Sequence, residues 1–307
     1  MTTQNSLNLQ QIHKLDYLNI LLMLISFVIA YISPWPLLLG AYAILGPAHY
    51  LTEISWLHDR NYFTQQKADY IYLLILTFYM LVFTKFYIPI MILTLSFTVA
   101  MTLFKTYKEK VLIIFAGLII AALTTKNTAY VIILLFLPTL IHVYVFTAGF
   151  ILNGAIKNHS VPGYATFALL ILCGICFFLP QPFIIQPITA HFVLHNANYF
   201  QNMVDLFIKT FRLENNNQHI IQTIRFIAFA YSYHYLNWFS KTGIIRWHEI
   251  SGKRLRILTY IYLFSISLYL YNYGLGFVVL LSLSFLHVIL ELPLDVLMFK
   301  NIFQIKN

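Results

Sequence analysis

Apolar residues along this chain neither alternate nor form a single helical stripe. They come in long runs broken by short polar knots. Ten runs can be placed: Leu18–Ile32, Trp35–Leu57, Tyr70–Phe83, Tyr87–Phe104, Val111–Leu123, Ala129–Ile151, Tyr164–Leu179, His219–Ser240, Leu255–Tyr271 and Gly274–Phe299. Most are about 15–25 residues, the length an α-helix needs to cross a bilayer. None shows the roughly ten-residue alternation of a membrane β-strand. The pattern predicts an all-α, polytopic integral membrane helical bundle of about ten transmembrane helices, a single transmembrane domain over residues 1–307.

One connection is long, 180–218. It opens with Pro180, Pro182 and Pro187, and continues through His191–Phe211, where Phe192, Phe200, Val204 and Phe207 stand among polar residues. That mixture reads as an interfacial helix within an extracytoplasmic connection.

Composition agrees with the runs. Charged residues are 9% of the 307 and hydrophobic ones 60%, against about 25% charged in a soluble domain. A soluble globule, a disordered chain, a disulfide scaffold and a coiled coil are excluded. The net charge of +9 does not point to nucleic acid, because the 19 Lys and Arg are sparse and lie between apolar runs. Threaded through ten helices, only Lys85, Lys126, Lys209, Arg212 and Arg225 fall on one side; the other fourteen fall opposite. That bias puts both termini in the cytoplasm and the protein in the cell inner (plasma) membrane. No signal-peptide cleavage pattern is evident, so the first run is expected to remain as a helix. Cys173 and Cys176 have C-x-x-C spacing inside an apolar run. Two thiols cannot complete a zinc site, and they read as small buried side chains.

Ionisable side chains inside apolar runs are costly and mark function by default. Here they are His49 and Glu53 in the second run, His142 in the sixth, His234 in the eighth, and His287, Glu291 and Asp295 in the tenth. His49 and Glu53 are four residues apart, as are His287 and Glu291, so each pair shares a helix face. Two helices thus carry the same H-x-x-x-E pair, which can bind one metal or let the carboxylate orient the imidazole. In the predicted orientation the four histidine-bearing helices run inward. His49 lies 14 residues past Trp35, His142 13 past Ala129, His234 15 past His219 and His287 13 past Gly274. At about 1.5 Å per residue the four imidazoles share one level. Imidazoles with adjacent carboxylates suit Fe, Zn or Cu, and the absence of nearby thiols argues against iron–sulfur or structural zinc. A lone membrane histidine can also bridge helices by hydrogen bonding, and the set would equally serve as a proton relay.

Weaker candidates follow. His191 and His195 would add ligands if the interfacial segment dips inward. His58 lies nine residues from His49, about half a turn round the helix, so the two cannot face one metal. Tyr231, Tyr235 and Trp238 flank His234 and could line a pocket or simply pack.

Gly46-Pro47-Ala48-His49 followed by Glu53 resembles the proline-histidine motif of the Brp/Blh membrane β-carotene dioxygenases, which has an acid four residues later. Tyr233-His234-Tyr235 is similar to their aromatic-histidine motif, and Phe285-Leu286-His287 to their terminal histidine motif. Tyr50 stands where that family has glycine, and would narrow a polyene tunnel beside the first ligand. The resemblance implies non-haem iron (Fe2+) held by histidines, and dioxygen-dependent cleavage of a carotenoid to retinal.

Two functional expectations result. The first is a membrane metalloenzyme, an iron oxygenase acting on a lipophilic small molecule with dioxygen. His49, His142, His234 and His287 would be ligands, Glu53 and Glu291 would complete or orient the shell, and Tyr50, Tyr231, Tyr235 and Trp238 would line the substrate pocket. Carotenoid cleavage comes first, lipid hydroxylation or desaturation next. The alternative is a proton-coupled transporter using the same His and Glu residues, with Pro47 and Pro293 breaking helices near the site. A structural subunit would explain the apolar runs but not the buried carboxylates.

Overall fold

The computed structural model describes residues 9–60, 71, 75, 87–124, 137–179, 200–201, 204–205 and 207–303. Every regular element among them is helical: α1 (Leu9–Ile32), α2 (Pro34–Gly40), a π-helical turn π1 (Ala41–Leu45), α3 (Gly46–Arg60), α4 (Tyr87–Leu103), α5 (Tyr107–Thr124), π2 (Leu137–Phe146), α6 (Thr147–Asn158), α7 (Val161–Cys176), α8 (Asn217–Ser240), α9 (Thr242–Ile245), α10 (Gly252–Tyr271) and α11 (Tyr273–Ile302). Helix covers the described part of nine of the ten runs; Tyr70–Phe83 falls, apart from residues 71 and 75, outside the described residues. Leu9–Ile32, Leu140–Asn158 and Tyr273–Ile302 are long and apolar enough to cross a membrane.

Helix starts follow local chemistry. Asn216 accepts from the His219 N–H at the start of α8, Ser160 from Gly163 at α7, and Ser251 from Arg254 at α10. Each side chain satisfies a backbone donor that has no partner within its helix. Thr106 and Glu109 cap α5 reciprocally: the Thr106 N–H donates to the Glu109 carboxylate, and the Glu109 N–H to the Thr106 hydroxyl. This is a capping box. The Trp35–Leu57 run is not one helix. Pro47 has no N–H, and its ring crowds the carbonyl of Ala43. The backbone before it widens into π1 and resumes as α3 at Gly46.

The chain forms two compact units. The first comprises residues 1–42, 143–246 and 298–307. In it α1 packs on α2, α7 and α8, α2 on α8, and α6 on α7. Burial in α1 is inverted relative to a soluble helix. Asn19, Met23, Ser26 and Ala30 are buried, while Leu21, Leu24, Ile25 and Val28 are exposed. Polar atoms face protein and apolar ones face outward, as lipid requires. Asn237 donates to the Asn19 side-chain oxygen at 2.8 Å, and Ser240 to the same oxygen at 3.0 Å. The Arg225 guanidinium lies 4.0 Å over the Tyr31 ring and donates to the Tyr31 carbonyl. Phe27 packs against Phe177 and Phe229. Gly174 is required where Tyr144 donates to the Leu170 carbonyl at 2.8 Å, since a Cβ there would run into the Tyr144 hydroxyl. Cys173 is buried, but Cys176, at the last residue of α7, is exposed, so the expectation of two buried thiols holds for one. In the described part of the 191–211 stretch, Phe200 packs edge-on to Tyr42 and Phe207 stacks on Phe178.

The second unit comprises residues 43–142 and 247–297. Within it α4 packs on α5 and α3 on α10. Leu57, Phe285, Leu286, Ile289 and Leu290 form its core, with Ile54, Leu95 and Leu294 against them. Arg254 Nη1 donates to both carboxylate oxygens of Asp59 at 2.6 Å at an exposed edge, where such pairs contribute little. Its outward residues include Leu112 and Phe115 on α5 and Tyr260 and Phe264 on α10. In water these would be aggregation-prone patches; against lipid they are ordinary.

Candidate metal centre

The second unit buries six ionisable side chains on three helical elements. α3 supplies His49 and Glu53, π2 supplies His142, and α11 supplies His287, Glu291 and Asp295. His49, His142, Glu53 and Asp295 are each 1% exposed, His287 2% and Glu291 6%, so water does not solvate any of them. Each of the three histidines offers a ring nitrogen, and these nitrogens lie within 4.8 Å of one another. The π-helical turn at His142 fits a recurring pattern, in which the extra residue re-aims a functional side chain.

The contacts between these groups are short. His49 Nε2 is 3.0 Å from Glu53 Oε2. His142 Nδ1 is 3.1 Å from Glu291 Oε2. His142 Nε2 is 3.0 Å from His287 Nε2. The two H-x-x-x-E pairs meet through their imidazoles, since the His49 and His287 rings lie with centroids 5.2 Å apart. A carboxylate beside Nδ1 of His142 favours a proton there and leaves its Nε2 as a lone pair. That lone pair faces the Nε2 of His287. At 3.0 Å the two nitrogens either share one N–H···N hydrogen bond or bind a common ion. Two donors each about 2.1 Å from one ion and at right angles are about 3.0 Å apart. The separations within this group therefore fit a metal.

Aromatic packing holds the imidazoles in orientation. The His287 ring lies edge-on to His142 and His49, at centroid distances of 4.8 and 5.2 Å. Tyr50, 1% exposed, stacks on the His287 ring.

His234 belongs to the first unit, on α8, and is buried. Its Nδ1 lies 2.8 Å from the Thr147 hydroxyl, which donates its own proton to the Val143 carbonyl at 2.8 Å. A hydroxyl has one proton, so toward His234 it accepts. His234 therefore carries hydrogen on Nδ1 and a lone pair on Nε2, the tautomer a metal ligand needs.

The remaining sequence candidates are placed as follows. His58 is half-buried in the last turn of α3. His191 and His195 lie outside the described residues. Tyr231 and Tyr235 are buried in the first unit, Tyr231 against Tyr42 and Tyr235 against Tyr231 and His234; Trp238 is half-buried. Two features were not anticipated from sequence: the Tyr50–His287 stack and the Thr147 contact of His234. Comparison with protein-family models, curated proteins and solved structures finds no match, so any functional reading rests on the residues themselves.

Proposed function

We propose that this chain is an integral-membrane metalloenzyme, a histidine-ligated non-haem iron oxygenase acting on a lipophilic substrate with dioxygen. In this reading ten helices cross the cell inner membrane with both termini in the cytoplasm. The ligands are His49, His142, His287 and, by its matching depth in the sequence and its tautomer, His234. The observation that carries the proposal is the convergence of three buried ring nitrogens within 4.8 Å, joined to Glu53 and Glu291. Bound iron would supply Lewis acidity and open positions for dioxygen. The chain's own residues do the rest. Glu291 fixes the His142 ring through Nδ1, and Glu53 does the same for His49 or binds directly. The apolar helix walls exclude water and accept an apolar substrate. Carotenoid cleavage to retinal is the first activity to assay, lipid hydroxylation or desaturation the next.

The test is metal analysis of the detergent-purified protein together with product analysis. Near-stoichiometric iron is expected, lost in a His49→Ala/His287→Ala double variant. Absence of metal after anaerobic purification, or full retention by that variant, overturns the proposal. A pH-dependent flux in proteoliposomes of metal-free protein would favour the proton-relay alternative instead.

A further inference from the structure

α10 touches protein along little of its surface. Of its 20 residues only Ser265 and Tyr269 are buried, and within the second unit α3 packs against it. The exposed side is ordered. Lys253 and Arg256 are three residues apart near the start of the helix. Ile257 lies four past Lys253, and Tyr260 and Phe264 lie four and eight past Arg256. Spacings of three and four keep to one helix face, so the five form a stripe with its cations at one end. All five are exposed, Tyr260 by 70% and Phe264 by 62%. Among the described residues no carboxylate pairs with Lys253 or Arg256, whereas Arg254 between them is held by Asp59 at the end of α3. From Lys253 to Phe264 the stripe spans eleven residues, about 16 Å at 1.5 Å per residue, which matches the hydrocarbon depth of one leaflet, about 15 Å.

We propose that this stripe binds one anionic phospholipid, with its phosphate on Lys253 and Arg256 and an acyl chain along Ile257, Tyr260 and Phe264. In the topology proposed above α10 starts at the cytoplasmic face, where the leaflet carries anionic headgroups that juxtamembrane lysines and arginines attract. The long stems of Lys253 and Arg256 lie on apolar surface while their heads reach the phosphate, and the guanidinium fork takes two of its oxygens. A second copy of the chain fits this face poorly. Around a two-fold axis along the membrane normal the two α10 helices run parallel, so the cations of one meet those of the other. α5 also starts with two lysines, Lys108 and Lys110, but residues two apart do not face each other on a helix, so they cannot close on one phosphate. The inference rests on the membrane placement proposed above and not on the metal.

Native mass spectrometry of the full chain in neutral detergent tests it, with bound lipid counted during titration by phosphatidylglycerol or by phosphatidylcholine of the same chains. Saturable binding of one phosphatidylglycerol is expected, with phosphatidylcholine much weaker. At about fivefold per cation, Lys253→Gln/Arg256→Gln should bind phosphatidylglycerol about thirtyfold more weakly. Tyr260→Ala/Phe264→Ala should weaken it too, and Lys108→Gln/Lys110→Gln should not. Unchanged binding in the Lys253→Gln/Arg256→Gln variant, an equal loss in the α5 variant, or equal binding of phosphatidylcholine overturns the site. Displacement of the lipid by an equal concentration of inorganic phosphate overturns it as well, since headgroup charge alone would then bind. A dimer mass that Tyr260→Ala/Phe264→Ala abolishes puts a second copy on this face and overturns the lipid. A chain recovered in the soluble fraction without detergent overturns the membrane placement itself, while iron content in the same samples reports on the metal separately.

Discussion

Tyr50 lies flat against His287, with ring centroids 4.3 Å apart and planes inclined by 25°. The two residues come from α3 and α11, so the stack fixes the imidazole across two helices. A stacked aromatic limits ring rotation, and a ligand held in orientation loses less freedom on binding metal. Tyr50 also fills the space next to the imidazoles. Tyr50→Phe should keep the stack and leave metal content near wild type. Tyr50→Ala should lower metal affinity about tenfold and destabilise the protein by about 3–5 kcal/mol, as buried aromatic truncations do. Metal titration and thermal unfolding in detergent would check both. Equal metal affinity in the two variants would refute the orienting role.

Thr147 offers a way to test His234 from a distance. Its hydroxyl accepts from Nδ1 while donating to Val143. Thr147→Val keeps the shape and removes that acceptor. If His234 binds metal through Nε2, affinity should fall by about 10–100-fold, and Thr147→Ser should restore it. If His234 only packs, unfolding shifts by about 1 kcal/mol while metal affinity stays unchanged. Calorimetric metal titration beside thermal unfolding separates the outcomes.

Much of the fold was legible because lipid imposes a strong pattern. Helix boundaries such as Asn217–Ser240 and Gly252–Tyr271 fall within about three residues of the apolar runs, since each run must hide its backbone and a polar cap stops it. The His49–Glu53 pairing was legible for a similar reason, being set by the helical repeat alone. Pairings between helices were not. The His142–His287 contact and the Tyr50–His287 stack depend on how π2, α3 and α11 are rotated, and no single-chain periodicity encodes that rotation. The π-helical turns were also hidden. Pro47 signals a break near Ala41–Leu45 but not the widened turn that results. Sequence places Asp295 inside the tenth apolar run but does not give its degree of burial, which leaves it 1% exposed.

The cap of α5 carries a pH signature. Hydrogen bonds from the Thr106 hydroxyl and backbone hold the Glu109 carboxyl below the usual carboxylate range. A carboxyl depressed in the folded state stabilises it above the unfolded value, and that contribution is lost as pH falls through the lower folded value. The loss therefore occurs below about pH 4.3. Because Glu109 is exposed at the head of the helix, the effect is small. Thr106→Ala should raise the Glu109 titration midpoint toward its ordinary value and flatten this part of the acid dependence. A carboxyl-resolved NMR titration would read it, and an unchanged midpoint would refute the capping assignment.

Asn19 and Asn237 test whether polar contacts hold the first unit together. Asn19 is buried on α1, and its side-chain oxygen accepts from Asn237 and from Ser240 on α8. Its own amide donates to the Leu15 carbonyl at 2.9 Å. Asn237 in turn accepts from Lys241 at 2.8 Å. In the membrane reading proposed above no water competes for these groups, yet the unfolded helices also find partners, so each bond contributes only about 0.6 kcal/mol, at most about 1.7. Asn19→Ala removes one acceptor serving two donors and should cost about 1–2 kcal/mol. Asn19→Leu should cost more, because it adds bulk and leaves Asn237 facing an apolar side chain. In a double-mutant cycle, Asn19→Ala with Asn237→Ala should show coupling near the single-bond value. Zero coupling, measured by unfolding in mixed micelles, would mean that α1 and α8 associate through apolar packing alone, with Phe27 against Phe229 as the main contact.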